Sequence, residues 1–305
     1  MTFDLHFTFH THARVVKEQS PERLKILKAL AGTDWGQQKE TIIMTYKALI
    51  WSKFSYAAPI WFPNLSEDAG QSLQVIQNAA MRIATGCHKR ASSEHLHAET
   101  QLLPVVKSLE MVCAQYLASA LRPNHPSHTT VTQSSGPREK KQTLQSKFLP
   151  KISAHLTNNI TPIDQYEDIY KDIHTQAVQE AIRTQPTNAV IQTQPPPVDP
   201  VEKTLLRGHR TALSQLRSGY CKALNSYQNR INPSIDPSCP ECGSGEPHTT
   251  NHLFRCLAHP TELDVRNLWL RPDRVASFIC TLPCFDYLPA LPPPPPEPPP
   301  GGPAP

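Results

Sequence analysis

Between Ser20 and Pro123 the apolar residues recur three and four apart, in runs closed by glycine or proline, which predicts a succession of short helices. In the first run Leu24, Ile26, Leu27, Leu30 and Ala31 share an arc, with Lys25 and Lys28 pointing away. Ser20 reads as its N-cap, Pro21 as N1 and Gly32 as its end. A second helix is expected over about 37–56, with Ile42, Ile43, Tyr46, Leu49, Ile50 and Phe54 apolar enough to centre a core before Pro59 and Pro63. Ser66 caps a third, carrying Leu73, Ile76, Ala80 and Ile83 to a stop at Gly86, and Ser92 or Ser93 opens a short fourth. The run after Pro104 is the clearest, with Val105, Leu109, Val112, Cys113, Tyr116, Leu117 and Ala120 on one face. Only the first dozen residues alternate like a strand, through Phe3, Leu5, Phe7 and Phe9.

Beyond Pro123 the pattern thins. The expected organisation is a residual strand over 1–12, a helical domain over 13–122, and a linker with a short helix over 123–160. An amphipathic helix over 161–183 carries Ile163, Tyr166, Ile169, Tyr170, Ile173 and Ala177 on one side. There follow a Gln/Pro-rich linker over 184–200, a basic helical segment over 201–232, a zinc module with a following helix over 233–275, and a short helix with a disordered proline-rich tail over 276–305. The fold class is therefore mainly α, a helical bundle with a following helical region, a small CCHC module and disordered linkers and tail.

Composition sharpens this picture at the end of the chain. Of 32 prolines, 11 fall between Pro289 and Pro305, so that stretch favours extended polyproline over a packed core. Such a tail suits an SH3 or WW groove, or stands solvated. No apolar stretch approaches the roughly 18 to 20 residues of a membrane helix, and the N-terminus has no signal-peptide core, so an intracellular protein is expected, nuclear or cytoplasmic. The formal charge of +4 is spread unevenly, with 17 Lys+Arg against 11 Asp+Glu in residues 1–150 and 10 against 7 in 200–275. Two basic blocks suit contact with nucleic acid at two places.

Candidate chemistry concentrates in Cys239-Pro-Glu-Cys242 followed by His252-Leu-Phe-Arg-Cys256. A C-x2-C turn brings two thiolates to one ion, and a His and Cys four apart on a helix share a face, so the spacing predicts a four-coordinate zinc site. With every position taken by protein, that zinc is structural. His248 and His259 offer alternative spacings and rank below because neither lies on the His252 to Cys256 face. Cys87 with His88, His95 and His97 reads as polar surface, and the remaining cysteines as packed thiols. Upstream, Arg207, Arg210, Arg217, Lys222 and Arg230 surround Leu205, Leu206, Leu213, Leu216 and Leu224. Such a basic helix serves either phosphate contact or as a solvated face.

The run LKILKALAGTDWGQQKETIIMTYKALIWSKFSYAAPIW, then LQVIQNAAMRIATGC, then LRSGYCKALNSYQNRINPS with CPECG and TNHLFRCLAHPT, resembles the C-terminal part of the reverse transcriptase of jockey-like non-LTR retrotransposons. That resemblance covers nearly the whole chain. It implies that Phe3 to about His12 is the last strand of the palm, that the helices to Gly86 are the thumb, and that the zinc motif is the terminal knuckle. It also implies contact with template RNA or primer duplex, with Lys25, Lys28, Lys39, Lys47 and Lys53 against phosphates. Polymerisation needs paired metal-binding aspartates, and this chain has no Asp-Asp pair, so a truncated, catalytically inactive copy is expected. The competing expectations are an adaptor that binds proteins through the zinc module and tail, and a relic without function.

Overall fold

The computed structural model describes residues 10–32, 36–132, 144–152, 166–184 and 186–291. Its helices are α1 His10–Leu30, α2 Lys39–Tyr46, α3 Ser52–Ser55, α4 Ala58–Trp61, α5 Glu67–Thr85, α6 Ser93–Thr100, α7 Val105–Ala120, α8 His128–Thr132, α9 Leu144–Ile152, α10 Tyr166–Arg183, α11 Arg207–Ser218, α12 Asn225–Ile231, α13 Thr250–Leu253, α14 Asn267–Leu270 and α15 Pro272–Ile279. Among the described residues the only β pairing is two isolated bridges, Ala31 with Gly36 and Ser238 with Pro247. The mainly α class is therefore the observed one.

The first helix starts ten residues earlier than its capping signal. Ser20 does not cap it; its hydroxyl donates 2.7 Å to the Val16 carbonyl, and Pro21 lies inside the helix. An interior proline costs about 3 kcal/mol, which the stretch before it offsets by packing. Val16 and Leu27 join one core, and the His12 ring meets Trp61 edge-on at 5.5 Å. Burying a Val or Leu side chain is worth about 1.5–3 kcal/mol each, so tertiary contact outweighs the local start signal. His10 to His12, expected in a strand, form the first helical turn, and residues 1–9 lie outside the described residues. Ile26 does not join the apolar arc and stands 47% exposed.

The second expected helix is continuous from Lys39 to Ser55, with a π-helical turn over Lys47–Trp51 between α2 and α3. Its spacing explains the widened turn. Ile42, Tyr46, Ile50 and Phe54 are all buried and exactly four apart, a step that drifts about 40° on a 3.6-residue helix. A turn with more residues absorbs part of that drift and keeps the stripe facing the core. In α5 the capping signals stand as read: Ser66 accepts from the Ala69 amide, and Gly86 (φ 70°) closes the helix. Ser92 likewise caps α6 through the His95 amide.

α1 and α2 pack on α5, and α7 packs on α4, α5, α9 and α10. Phe148 of α9 and Ile169 and Ile173 of α10 enter the same core as Leu73, Leu109 and Leu117. The proposed helix start at Thr161-Pro162 lies outside the described residues. A second core gathers Leu213, Leu216, Leu224, Leu253, Phe254, Trp269, Val275, Ile279 and Phe285. Residues 186–200 carry little regular structure yet are fastened to this core. Asn188 donates to the Arg217 carbonyl, the Asp199 amide to the Trp269 carbonyl, and Asn251 to the Val190 carbonyl. Their expected character as a disordered linker is thus corrected; side-chain and backbone hydrogen bonds hold a proline-rich path that cannot form a helix. The tail over 292–305 lies outside the described residues.

Candidate metal centre

The chain builds a pocket for four donors from a turn and a short helix. The Cys239 amide donates to the Glu246 carbonyl and the His248 amide to the Pro237 carbonyl, each at 2.8 Å, closing the stretch between them into a hairpin-like turn. Gly243 (φ 62°) and Gly245 (φ 72°) supply the left-handed residues that reversal requires. On the other side Thr249 accepts from the His252 amide and caps α13, which presents His252, with Cys256 following. α12 holds the turn in place: the Ser226 hydroxyl donates 2.7 Å to the His248 carbonyl, and Asn225 donates to the Ser238 carbonyl.

The donor atoms of Cys239, Cys242, His252 and Cys256 all lie within 4.8 Å of one another. The Cys239 and Cys256 sulfurs are 3.9 Å apart, and the Cys242 sulfur is 3.4 Å from His252 Nε2. A tetrahedral zinc with about 2.3 Å to sulfur and about 2.0 Å to nitrogen needs edges of roughly 3.8 and 3.5 Å, so the donor set fits that ion. His252 points Nε2 into the cluster, while Nδ1 lies 2.9 Å from the Glu246 carboxylate. A carboxylate on the second ring nitrogen fixes the tautomer that a metal requires. Ser244 serves Cys242: its hydroxyl lies 3.1 Å from the sulfur and pulls that thiol down to about 6, with the Ser244 amide assisting. Burial instead pushes the Cys256 thiol up.

Neither alternative donor enters the cluster. His248 is buried, and its Nδ1 accepts from the Asn225 amide, which makes it a support for the turn. His259 lies 3.9 Å from the Glu241 carboxylate. The group near Cys87 also differs from the surface expected of it. His95 is buried, 3.6 Å from the Cys87 sulfur and 3.1 Å from the Ser214 carbonyl, and His97 Nδ1 lies 2.7 Å from the Leu102 carbonyl.

The arginines assigned to phosphate contact turn out to be interior. Every residue of α11 is buried, so its basic positions are neither a nucleic-acid surface nor a solvated face. Arg207 donates to the carbonyls of Gly32, Gln37, Ile83 and Ala84, satisfying the C-terminal end of α5, where cations are favoured. Arg210 pairs with both oxygens of Glu40 at 2.8 and 2.6 Å. Arg217, fully buried, bonds Glu99 at 3.0 Å, Glu202 and the Leu268 carbonyl. Lys39 joins them, 3.3 Å from Glu202 and 3.5 Å from Glu99, with only 14% of its side chain exposed.

Burial opposes ionisation of Glu99, yet Arg217 and then Lys39 hold its carboxyl below the ordinary range. Arg210 holds Glu40 down to about 2. α11 approaches α5 so closely that a Cβ on Gly86 would meet Thr211 at 2.5 Å. Charge and helical period alone do not distinguish this junction from a surface: in RGHRTALSQLRS Arg207, Arg210, Ser214 and Arg217 share one polar face opposite Leu213 and Leu216, and only the partners Glu40, Glu99 and Glu202 separate the two cases.

The other cations keep their exposure. Lys25 (2.7 Å from Glu22), Lys28, Lys47 and Lys53 project from α1 and the Lys39–Ser55 run, and Lys222 and Arg230 project beside the metal module. Comparison with protein-family models, with curated proteins and with solved structures finds no match for this chain.

Proposed function

We propose that this chain is a thumb-and-knuckle module of the non-LTR reverse-transcriptase kind, which binds nucleic acid and contributes no phosphoryl-transfer chemistry of its own. The observation that carries this reading is the union of two parts. A closed Cys3His quartet is joined through buried α11 to a helical body whose remaining lysines face solvent. When zinc is bound it fixes the turn from Cys239 to Cys256; Glu246 orients His252, Ser244 favours the thiolate of Cys242, and α12 carries the turn against the body. The quartet has no open position for a reacting water, which argues for scaffolding over catalysis.

Lys25, Lys28, Lys47 and Lys53 are the phosphate contacts in this reading, because half-buried Lys39 and buried Arg207, Arg210 and Arg217 are taken by carboxylates and carbonyls. Such contacts give affinity without sequence reading, and each phosphate neutralised steepens the logarithmic salt dependence by about 0.9 on duplex. The test is zinc content and primer-duplex binding of the full chain, measured across salt. One zinc per chain with affinity that falls steeply with salt upholds the proposal. Zinc without binding turns it over in favour of the adaptor.

A further inference from the structure

A second basic surface lies where the metal module meets the helical body, and it combines cations with partly open rings. Gly219 (φ 74°) ends α11, the Tyr220 amide bonds back to the Gln215 carbonyl, and the Tyr220 side chain that follows is half-buried. Tyr220 meets buried Tyr227 edge-on with ring centres 6.0 Å apart, and Tyr227 meets His88 at 5.0 Å. The Arg230 guanidinium lies 5.5 Å from the Tyr220 ring centre. Tyr220 and His88 are half-buried, whereas Lys89, Arg90, Lys222 and Arg230 are exposed. Lys222 sits on the same turn as Tyr220, its ammonium 4.1 Å above the Tyr287 ring.

The exposed cations of this surface lie close to its rings. Burial first, and then the charges of Lys89, Arg90 and Arg82, push His88 below the ordinary histidine range. Burial pushes the Tyr227 phenol up against the smaller opposing pull of Arg90, and its oxygen is buried without a hydrogen-bond partner among the described residues. Rings offered beside a cluster of cations suit unstacked bases, since a base stacks on an aromatic or guanidinium plane while the phosphates track the charges. Paired bases in a duplex keep their faces to themselves.

We infer that the surface formed by residues 88–90 and the 220–230 turn takes single-stranded nucleic acid. A base stacks on the Arg230 and Tyr220 pair, and phosphates lie against Lys89, Arg90 and Lys222. This rests on the nucleic-acid reading above and adds to it a second, strand-selective site.

The experiment measures affinity of the zinc-loaded full chain for a 12-nucleotide RNA strand, the same sequence as DNA, and the corresponding duplexes. The variants are Tyr220→Phe, Tyr220→Leu and the pair Lys89→Ala/Arg90→Ala. Losing one stacked base at the lower end of its usual worth weakens binding by about fivefold. Tyr220→Leu is therefore expected to lose about that factor on either single strand and less than twofold on duplex, while Tyr220→Phe retains wild-type affinity. Lys89→Ala/Arg90→Ala should flatten the salt dependence on single strands. Loss restricted to RNA names the 2′-hydroxyl strand as the source, and equal loss on both supports either strand as ligand. Unchanged single-strand affinity in Tyr220→Leu, or an equal loss on duplex, overturns this site while leaving the lysine contacts on α1 and the Lys39–Ser55 run standing. No binding by the wild-type chain to any of the four overturns both readings.

Discussion

The lysines of α1 and the Lys39–Ser55 run and the arginines of α11 look alike as sequence, since each set is basic and interleaved with leucines. In the folded chain they are opposites. Lys25, Lys28, Lys47 and Lys53 lie outside, across from an apolar stripe that faces one core. Arg207, Arg210 and Arg217 lie inside because α11 is covered on both sides, by α5 with the Lys39–Tyr46 helix and by the second core. Leu213 and Leu216 face that core, while the guanidiniums face Glu40, Glu99, Glu202 and the carbonyl end of α5. Arginine suits such a place, because its planar fork reaches several acceptors at once and it keeps its charge when buried. A basic helix is thus informative about nucleic acid only after its acidic partners have been located.

Several experiments would break or sharpen this contrast. The largest effect is expected from zinc. Removing it with a chelator, or replacing Cys239 by Ser, should unfold the 236–259 turn and loosen Leu253 and Phe254 in the second core, read as loss of metal in mass spectrometry and a lower melting temperature. Glu246→Gln should keep the fold and weaken zinc affinity by about 10- to 100-fold, the usual cost of losing a carboxylate behind a ligating histidine.

Next in size, Arg217→Met should cost about 3–5 kcal/mol in urea unfolding, because Glu99 and Glu202 would share only Lys39 and Arg210. Adding Glu99→Gln and Glu202→Gln should recover much of that loss. A smaller effect follows from acid. Glu40 and Glu99 both have depressed folded values, so they bind fewer protons folded than unfolded, and their contribution to stability is complete above about pH 4.5. It should shrink as pH falls from about 4.5 toward 2, and Glu40→Gln should remove part of that slope in a pH series of urea melts. Smallest of all, alanine at Lys25, Lys28, Lys47 and Lys53 should each change stability by less than about 0.5 kcal/mol, while together they should flatten the salt dependence of duplex binding.

Much of this molecule was legible in its residues. Ser66 and Gly86 bound α5 as their chemistry requires, and the C-x2-C and His-x3-Cys spacings put four donors together. Local rules failed where distant packing outweighed them. Pro21 and Ser20 carried a start signal, but Val16 and His12 had a core and a tryptophan to meet, which no neighbouring residue reveals. α11 failed for a related reason: Glu40, Glu99 and Glu202 lie far along the chain from Arg217 or on another element, so their pairing is a property of topology. Glu246 and Ser244 sit within the zinc motif, yet spacing alone does not single out their support of His252 and Cys242.

The contrast between the two basic regions is tested most directly by amide hydrogen exchange of the zinc-loaded full chain, with and without primer duplex. Residues 207–218 are expected to exchange among the slowest in the protein before nucleic acid is added, and at the same rate afterwards. Fast exchange over 207–218 that slows on adding duplex would contradict the account, and would return those arginines to the surface.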